Sequence, residues 1–263
     1  MAPKAADSAA PLRVVSLKPA ITDTIYALGL GDRLVGITRY CDVPAGAKKP
    51  QIVGDYTKPY VERIVALSPD IVLNSRENSS RRSIEGLERM GITVKLLRYG
   101  TIEGSLKSIR SIAELMGEPE RGIKLSNKIR RQLDELKRQY GKGERVRVLI
   151  VWGVRPLVVA GLGTYMDNGL GYIGAINVVE NVRVRYPKIG LEEIIALNPD
   201  VIVDLSMGSE RKDSAARPWE RTDAIEARVI RMDASDFRSG PKLIDGLRKL
   251  AREIHKGSGI RDQ

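Results

Sequence analysis

Two aromatic residues beside predicted strands are the side chains of this sequence best suited to contact a flat organic ligand. Tyr56 lies in the loop "IVGDYTKPY", which is rich in Gly, Asp and Pro and comes before a predicted short helix. Trp152 follows directly after the apolar run 146–151, which we predict to be a strand. Both side chains can stack on a planar ligand, and a tyrosine phenolate can also coordinate iron. A half-buried loop tyrosine and a tryptophan that fills the core are the structural alternatives.

A cluster of arginines follows the strand predicted at 71–73, in the stretch "NSRENSSRR". Arg76, Arg81 and Arg82 carry planar guanidinium groups, which match the geometry of carboxylates and phosphates. One of them can contact an anionic ligand if this strand end borders a cleft, and we take Arg76 as the candidate. The alternative for each is a solvated surface arginine.

The stretch 169–174, "GLGYIG", fits the G-x-G-x-x-G pattern of dinucleotide sites, and Glu193 follows about 20 residues later. A dinucleotide motif must leave a strand directly, whereas here "GTYMDN" intervenes after the apolar run 158–160. Glu193 is also expected to open a helix rather than to end a strand. We therefore expect these glycines to allow a helix to pack closely against a sheet. The sequence contains no P-loop and no G-x-S-x-G motif.

The single histidine and the single cysteine give little support for a metal site or a catalytic triad. His255 lies near the end of the last predicted helix, where the helix dipole favours a cation, so we expect a structural role. Without histidine partners or a second cysteine, a zinc or manganese site and a serine–histidine triad are both poorly supported. We predict no metal site, no catalytic residue and no resident cofactor. Cys41 is expected to be a small packing residue.

The composition limits the function classes. The 263 residues include 44 Lys and Arg against 33 Asp and Glu, a formal net charge of +11. This charge suits an anionic ligand, a nucleic acid or an acidic surface. The basic residues are spread along the chain, and there is one Phe and no alternation of aromatic and basic residues, so we predict no nucleic-acid partner. We expect no membrane span, because no window approaches 18 apolar residues.

Apolar runs typical of strands alternate with amphipathic helices in both halves of the sequence. Strands are predicted at residues 13–17, 34–37, 71–73, 93–97, 146–151 and 228–232, and helices at 80–90, 102–116 and about 241–255. A further helix face is indicated by Ile21, Ile25 and Leu28. This alternation predicts mainly parallel sheets that helices cover on both faces.

The segment 120–140 is predicted to be one long helix between two lobes. Its apolar residues Ile129, Leu133, Leu136 and Tyr140 recur at helical spacing, and about 21 residues give a length of roughly 30 Å. A helix bends less than a Gly/Ser linker, so we expect a cleft with limited hinge motion. The predicted organisation is a flexible leader at 1–12, a β/α lobe at 13–117, a connecting helix at 118–142 and a second β/α lobe at 143–263.

One sequence motif occurs twice in the chain. "VERIVALSPDIVLNS" at 61–75 matches "LEEIIALNPDVIVDL" at 191–205 in register, with Glu62 opposite Glu192 and Asp70 opposite Asp200. In each copy a short helix is expected to end at the residues before Pro and Asp, and a buried strand follows. The repeat predicts two lobes that are built alike.

The chain resembles the class III substrate-binding proteins of ABC importers from about residue 13 to residue 255. The resemblance is carried by "RVVSLKPAITDTIYALGLGDRLVGITRYCDVP", "IVGDY" and "VERIVALSPDIVL" in the first half, and by "LIVWGVRPLVVAGLGTYMDNGL", "GAINVVE" and "LEEIIALNPDVIVDLS" in the second. It implies an α/β protein of two Rossmann-like lobes joined by a single long backbone helix. It also implies a non-catalytic role, in which a metal chelate is bound in the cleft and delivered to a permease dimer. The chelates of the family are cobalamin (vitamin B12), ferric siderophores and haem.

The resemblance also assigns expected roles to particular residues. Glu62 and Glu192 match the glutamates that dock into arginine pockets of the permease dimer. Tyr56 falls where cobalamin and haem binders place an aromatic residue of the cleft, and Lys18 and Pro19 fall where the first loop reaches the ligand. In the second lobe we expect no aromatic wall near residues 181–187.

The resemblance implies a monomer that works in the periplasm or another extracytoplasmic space, associated with the membrane through its permease. The start "MAPKAADSAAPLR" has no apolar signal core, so a cytoplasmic chelate-binding protein without a permease stays open as an alternative. A second alternative is a two-lobed α/β enzyme of the nucleotide-sugar transferase type. That enzyme would need a phosphate-binding glycine turn directly after a strand and a titratable pair in the cleft.

Overall fold

The structure is a computed structural model that describes residues 11–55, 58–77, 81–180, 184–206 and 217–256. Ten strands and eight α-helices lie within these residues. The strands are β1 Val14–Ser16, β2 Leu34–Ile37, β3 Gln51–Ile52, β4 Ile71–Ser75, β5 Val94–Leu97, β6 Val146–Val154, β7 Leu157–Val159, β8 Ala175–Asn177, β9 Val201–Asp204 and β10 Arg228–Arg231. The helices are α1 Pro19–Ala27, α2 Val61–Ala66, α3 Arg81–Arg89, α4 Ile102–Leu115, α5 Pro119–Tyr140, α6 Tyr165–Leu170, α7 Leu191–Leu197 and α8 Leu243–Ile254.

The strands form two five-stranded sheets, one in each half of the chain. The first has the order β3-β2-β1-β4-β5 and is parallel throughout. The second has the order β10-β9-β6-β7, with β8 also beside β6, and only β7 runs antiparallel among its described strands. The predicted α/β fold with mainly parallel sheets is confirmed. In a parallel sheet the carboxyl ends of the strands share one edge, which is where ligands bind in such folds.

The long helix between the two sheets is continuous, as predicted. Its apolar stripe, Ile129, Leu133, Leu136 and Tyr140, is buried. One apolar core runs from Val14 of the first sheet through α4, α5 and α8 to Val203 of the second. The sheets are therefore joined by shared packing as well as by the chain, which favours small relative motions.

The repeated phrase gives the same helix end in both halves. After α2 and α7 the backbone turns through left-handed residues, Ser68 with a φ of 43° and Asn198 with a φ of 42°. A non-glycine residue at positive φ is uncommon, and Asn and Ser tolerate it better than branched residues do. The two copies thus share an unusual backbone conformation as well as a sequence.

Each copy is also hydrogen-bonded to the start of the neighbouring strand through an aspartate and an arginine, a pair that we call the Asp–Arg latch. The carboxylate of Asp70 accepts a hydrogen bond from the backbone N–H of Arg13 at 2.6 Å, and Asp200 accepts one from Arg147 at 2.7 Å. In both latches the arginine Nη2 donates over 2.7 Å to a leucine carbonyl at the helix end, that of Leu67 just after α2 or that of Leu197, the last residue of α7. Orphan carbonyls at the helix end are thereby satisfied. The sequence comparison found the aspartates but not their arginine partners.

The glycines of "GLGYIG" serve close packing, as expected, although their partners are helices rather than a sheet. Gly169 lies inside α6, and a Cβ there would stand 2.7 Å from Cδ2 of Leu247 in α8. Gly174 has a φ of 69°, and a Cβ there would clash with the carbonyl oxygen of Tyr140 at the end of α5. This placement within and after a helix differs from the strand–turn–helix geometry of a dinucleotide motif.

The single histidine and cysteine have the structural surroundings that the sequence indicated. His255 follows the end of α8, where its Nε2 lies 2.8 Å from the carbonyl oxygen of Ile173 and its ring stacks on Tyr140 at 5.2 Å. Cys41 is half-buried, and its sulfur accepts a hydrogen bond from Thr22 at 3.0 Å. Burial raises the pKa of the Cys41 thiol, which favours the unreactive protonated form.

Candidate functional site

The carboxyl edge of the first sheet meets loops of the second half, and we take this boundary as the candidate cleft. We define the candidate cleft by residues that are linked through successive contacts across this boundary. These residues are Lys18, Ser75, Glu77, Tyr99 and Gly100 from the first half and Trp152, Arg185 and Tyr186 from the second.

Lys18 is placed at the floor of the candidate cleft by the junction of β1 and α1. It is the residue before the helix, and Pro19 takes the first helical position, where its missing N–H costs no hydrogen bond. The Lys18 ammonium donates to Oγ of Ser75, at the end of β4, over 3.0 Å. It also lies 5.7 Å from the centre of the Tyr99 ring. Burial lowers the pKa of Lys18, and the charge of Glu77 acts in the opposite direction.

Glu77 and Gly100 shape the next part of the cleft. The Glu77 carboxylate accepts hydrogen bonds from the backbone N–H groups of Tyr99 at 2.9 Å and of Gly100 at 2.8 Å. The guanidinium of Arg185, from the second half, lies so close to Gly100 that any Cβ there would clash with it. A glycine at this position therefore lets the two halves approach each other.

Trp152 and Tyr186 form the aromatic part of the cleft in the second half. Their ring centres are 6.3 Å apart with a tilt of 49°, and each residue is 39% exposed. Burial raises the pKa of Tyr186; the charge of Arg185 lowers it, and that of Glu77, a residue of the first half, raises it. The alternative that Trp152 fills the core is wrong, because a core side chain would be almost inaccessible.

Two sequence-based expectations about Trp152 and Tyr186 need correction. Trp152 lies within β6 rather than after it, because the hairpin partner β7 pairs with β6 as far as Val154 and so extends the strand. We also expected no aromatic wall near residues 181–187, but Tyr186 stands beside Trp152 and forms an aromatic pair with it. The available signal was the pair Tyr186-Pro187 in a loop after an apolar run, but a loop tyrosine alone does not show which way it points.

The other predicted ligand residues are placed less fully. Arg76 is exposed directly after β4, and its backbone N–H donates to the carbonyl of Leu97 at 2.9 Å. Its side chain is exposed and makes no ion pair with any described residue. Tyr56 lies outside the described residues. Arg81 faces away on the surface of α3, where it pairs with Glu85 at 2.7 Å.

Glu62 and Glu192 occupy equivalent places in the two halves. Each lies in the first turn of its helix, α2 or α7, and each is exposed. Neither forms an ion pair within the residues that the structure describes. A helix that precedes a parallel strand runs antiparallel to it, so its first turn lies at the carboxyl edge of the sheet. Both glutamates are therefore on the cleft side of their sheets.

An ionic network joins the two halves beside the cleft. Arg238 lies 2.7 Å from the carboxylate of Asp42 and 3.6 Å from that of Asp23, and Lys242 lies 2.7 Å and 3.0 Å from the same two groups. The Asp23 side chain is only 5% exposed. Burial raises the pKa of Asp23, against the opposing effects of Lys242 and Arg238. Burial also opposes ionisation of Asp42, but Lys242 and Arg238 outweigh it, so the pKa of Asp42 is lowered.

An open depression of about 580 Å³ lies beside α8, outside the candidate cleft. Its basic residues are engaged by neighbouring carboxylates: Arg248 pairs with Asp245 at 3.3 Å, and Lys249 with Asp236 at 2.9 Å. These mutual pairs leave little net charge for a ligand, and the depression has no exposed aromatic face. The candidate cleft is therefore the better ligand site.

Two mainly parallel sheets, one long connecting helix and a cleft between the halves define a class III substrate-binding fold. The chain belongs to the periplasmic binding protein family, whose model matches residues 14–233. Among the described helices, none has the length and apolar character needed to cross a membrane.

Individual relatives share this architecture over nearly their whole length. A vitamin B12-binding protein of Photorhabdus laumondii is 29% identical over 248 residues, which are 94% of this chain and 89% of the relative. The solved periplasmic vitamin B12-binding protein of Vibrio cholerae is 23% identical, with a TM-score of 0.78 over 94% of this chain and 98% of that one. The periplasmic haem-binding protein of Vibrio cholerae is 23% identical, with a TM-score of 0.80 over 93% and 99%. At these identities the solved structures establish the fold.

Proposed function

We propose that this protein captures a metal chelate in the candidate cleft and delivers it to the permease dimer of an ABC importer. The observation that carries the proposal is the half-exposed pair of aromatic rings, Trp152 and Tyr186, next to Arg185, which reaches Gly100 of the first half. A pair of exposed aromatic rings suits a large, flat macrocycle, because it offers apolar contact area and stacking together. A corrinoid is the first ligand to test, since the curated relatives are named as vitamin B12-binding proteins; haem and ferric siderophores follow.

In this proposal the two halves contact different parts of the chelate. Trp152 and Tyr186 cover an apolar face, while Lys18 and Arg185 contact polar groups at its edge. Tyr56 is proposed as the aromatic residue of the opposite wall, with Pro19 and Arg76 at the rim. Aromatic and basic side chains of this kind bind a ligand by stacking and charge, without any bond being made or broken. We therefore propose a binding protein and not an enzyme.

Docking onto the permease is proposed to use Glu62 and Glu192. The two carboxylates are exposed, lie on the cleft side and come from equivalent helices, which suits a partner with two-fold symmetry. On a chain with a net charge of +11, isolated carboxylates can steer and orient binding to arginines. The protein is proposed to act as a monomer in the periplasm or an equivalent space, with lobes at 13–117 and 143–263.

The test of the proposed function is a titration of the whole chain against a panel of ligands. Changes in absorption report the binding of the chelates, which are cyanocobalamin, haemin, and ferric hydroxamate and ferric catecholate siderophores. Product formation reports the turnover of a nucleotide sugar. The proposal expects saturable binding of one chelate per chain and no turnover. Turnover of the nucleotide sugar without binding of any chelate would establish the enzyme alternative instead.

A further inference from the structure

We infer that the cleft selects a chelate that carries an anionic group, a carboxylate or a phosphate, and that Lys18 receives this group. The inference rests on the proposed function and adds the chemical class of the ligand. It depends on how the charge of Lys18 is compensated in the unliganded protein.

The Lys18 ammonium has only neutral partners among the described residues. It donates to the hydroxyl of Ser75 and lies over the ring of Tyr99, but no described carboxylate lies within 4.0 Å of it. Arg238 and Lys242, by contrast, each contact two carboxylates. Lys18 is thus a half-buried cation with no carboxylate at ion-pair distance among the described residues, which is costly unless an anion completes the site.

The nearest acidic side chain is engaged elsewhere. Glu77 influences Lys18 through space, but its Oε1 accepts the N–H groups of Tyr99 and Gly100. These two bonds fix the loop after β5 and hold the carboxylate beyond ion-pair distance of Lys18. The lowered pKa of Lys18 agrees with a positive charge that is incompletely compensated.

The surroundings of Lys18 add further positive potential. It precedes α1, a nine-residue helix with no acidic residue in its first turn, so the positive end of the helix dipole is unopposed there. Arg185, from the other half, lies against Gly100, the residue after Tyr99, and makes no ion pair with a described residue.

Two chelate classes can supply the anion, the phosphodiester of cobalamin and the propionate carboxylates of haem. The experiment therefore compares each with an analogue that lacks the anion: dicyanocobinamide for the corrinoid and haemin dimethyl ester for the porphyrin. Dissociation constants are measured for the wild type, for Lys18→Gln and for the control Lys137→Gln, which changes an exposed lysine of α5. The class that the wild type binds identifies the source of the anion.

Lys18→Gln is expected to weaken binding of the anionic chelate by about 10- to 100-fold, the range for losing a charge-assisted hydrogen bond. The affinity of Lys18→Gln for the analogue without the anionic group should stay within about twofold of the wild-type value. Lys137→Gln should change the affinity for neither ligand. Equal losses for both ligands would assign Lys18 a structural role and overturn the inference, as would an unchanged affinity for the anionic chelate.

A measurement on the wild type alone keeps the inference testable if Lys18→Gln does not fold. The wild type must bind the anionic chelate more tightly than its uncharged analogue, and the difference must shrink as salt is added. Equal affinity for both would overturn the inference and leave the proposed function standing. Binding of a ferric siderophore but of neither class would overturn the inference alone, whereas failure to bind any chelate of the panel would overturn the proposed function itself.

Discussion

Replacing Arg238 by Leu should reduce the free energy of unfolding by about 2 kcal/mol. Arg238 is only 18% exposed and lies against Asp23, whose side chain is 5% exposed. Removing one partner of a buried ion pair costs about 3–5 kcal/mol when the other charge is left alone. Here Lys242 still lies 3.0 Å from Asp23, and Asp42 is 57% exposed and can be solvated, so we expect a value below that range.

The matched control is Arg248→Leu, which removes an exposed ion pair of α8. Arg248 lies 3.3 Å from Asp245, with side-chain exposures of 37% and 74%, so its loss should cost less than about 0.5 kcal/mol. Urea unfolding followed by circular dichroism measures both variants at pH 7. If Arg238→Leu destabilises no more than Arg248→Leu, the ionic network does not contribute to the joining of the halves.

The pH dependence of the same variant gives a second check, because the pKa of Asp23 is already raised by burial. A carboxyl group whose folded pKa lies above its unfolded value gains stability as the pH falls through the folded pKa, since the folded state binds the proton more tightly. Loss of the Arg238 charge raises the pKa of Asp23 further. The deficit of Arg238→Leu should therefore shrink between pH 7 and pH 5, and a constant or growing deficit would contradict this reasoning.

Three further predictions concern the ligand, the permease and the motion between lobes. Tyr56→Ala should weaken chelate binding by about 1–3 kcal/mol in an equilibrium titration, and unchanged affinity with an intact fold would remove Tyr56 from the site. The double variant Glu62→Ala, Glu192→Ala should bind chelate normally yet fail to support uptake into vesicles that contain the cognate permease; normal uptake would leave these glutamates only a role at their helix starts. Small-angle scattering should show little change in radius of gyration on chelate binding, because α5 and the shared core resist large closure.

Periodic apolar patterns predicted most of the fold because they depend on neighbours within a few residues. The stripe on α5 and the run of β2 match the structure almost residue for residue. Elements too short to show a period were missed: β3 has two residues, β8 has three, and α6 has six. The end of β6 was misplaced because its last residues depend on pairing with β7, which the local pattern does not reveal.

Candidate site residues could be proposed from the sequence only where the residue type itself indicates a chemistry. Trp152 was proposed from the sequence because an indole beside an apolar run can stack on a flat ligand. Tyr186 was missed because its role depends on the distant ring that it meets. The contact of Arg238 with Asp42 joins positions 196 residues apart, so no local pattern could show it. Lys18 was proposed through the family resemblance, but the lack of a described carboxylate at ion-pair distance can be read only from the folded chain.

The central claim is that the cleft beside Trp152 and Tyr186 binds a metal chelate. The most direct test is equilibrium dialysis of the wild type and the double variant Trp152→Ala, Tyr186→Ala against the chelate that the panel identifies. The control is Tyr172→Ala, which changes a half-buried tyrosine on the turn after α6. One chelate should bind per wild-type chain. The double variant should bind it with an affinity reduced roughly 100-fold, the effect of losing two aromatic contacts. The affinity of the control variant should equal that of the wild type. Equal affinity of the wild type and the double variant would show that the chelate binds elsewhere and would contradict this account of the site.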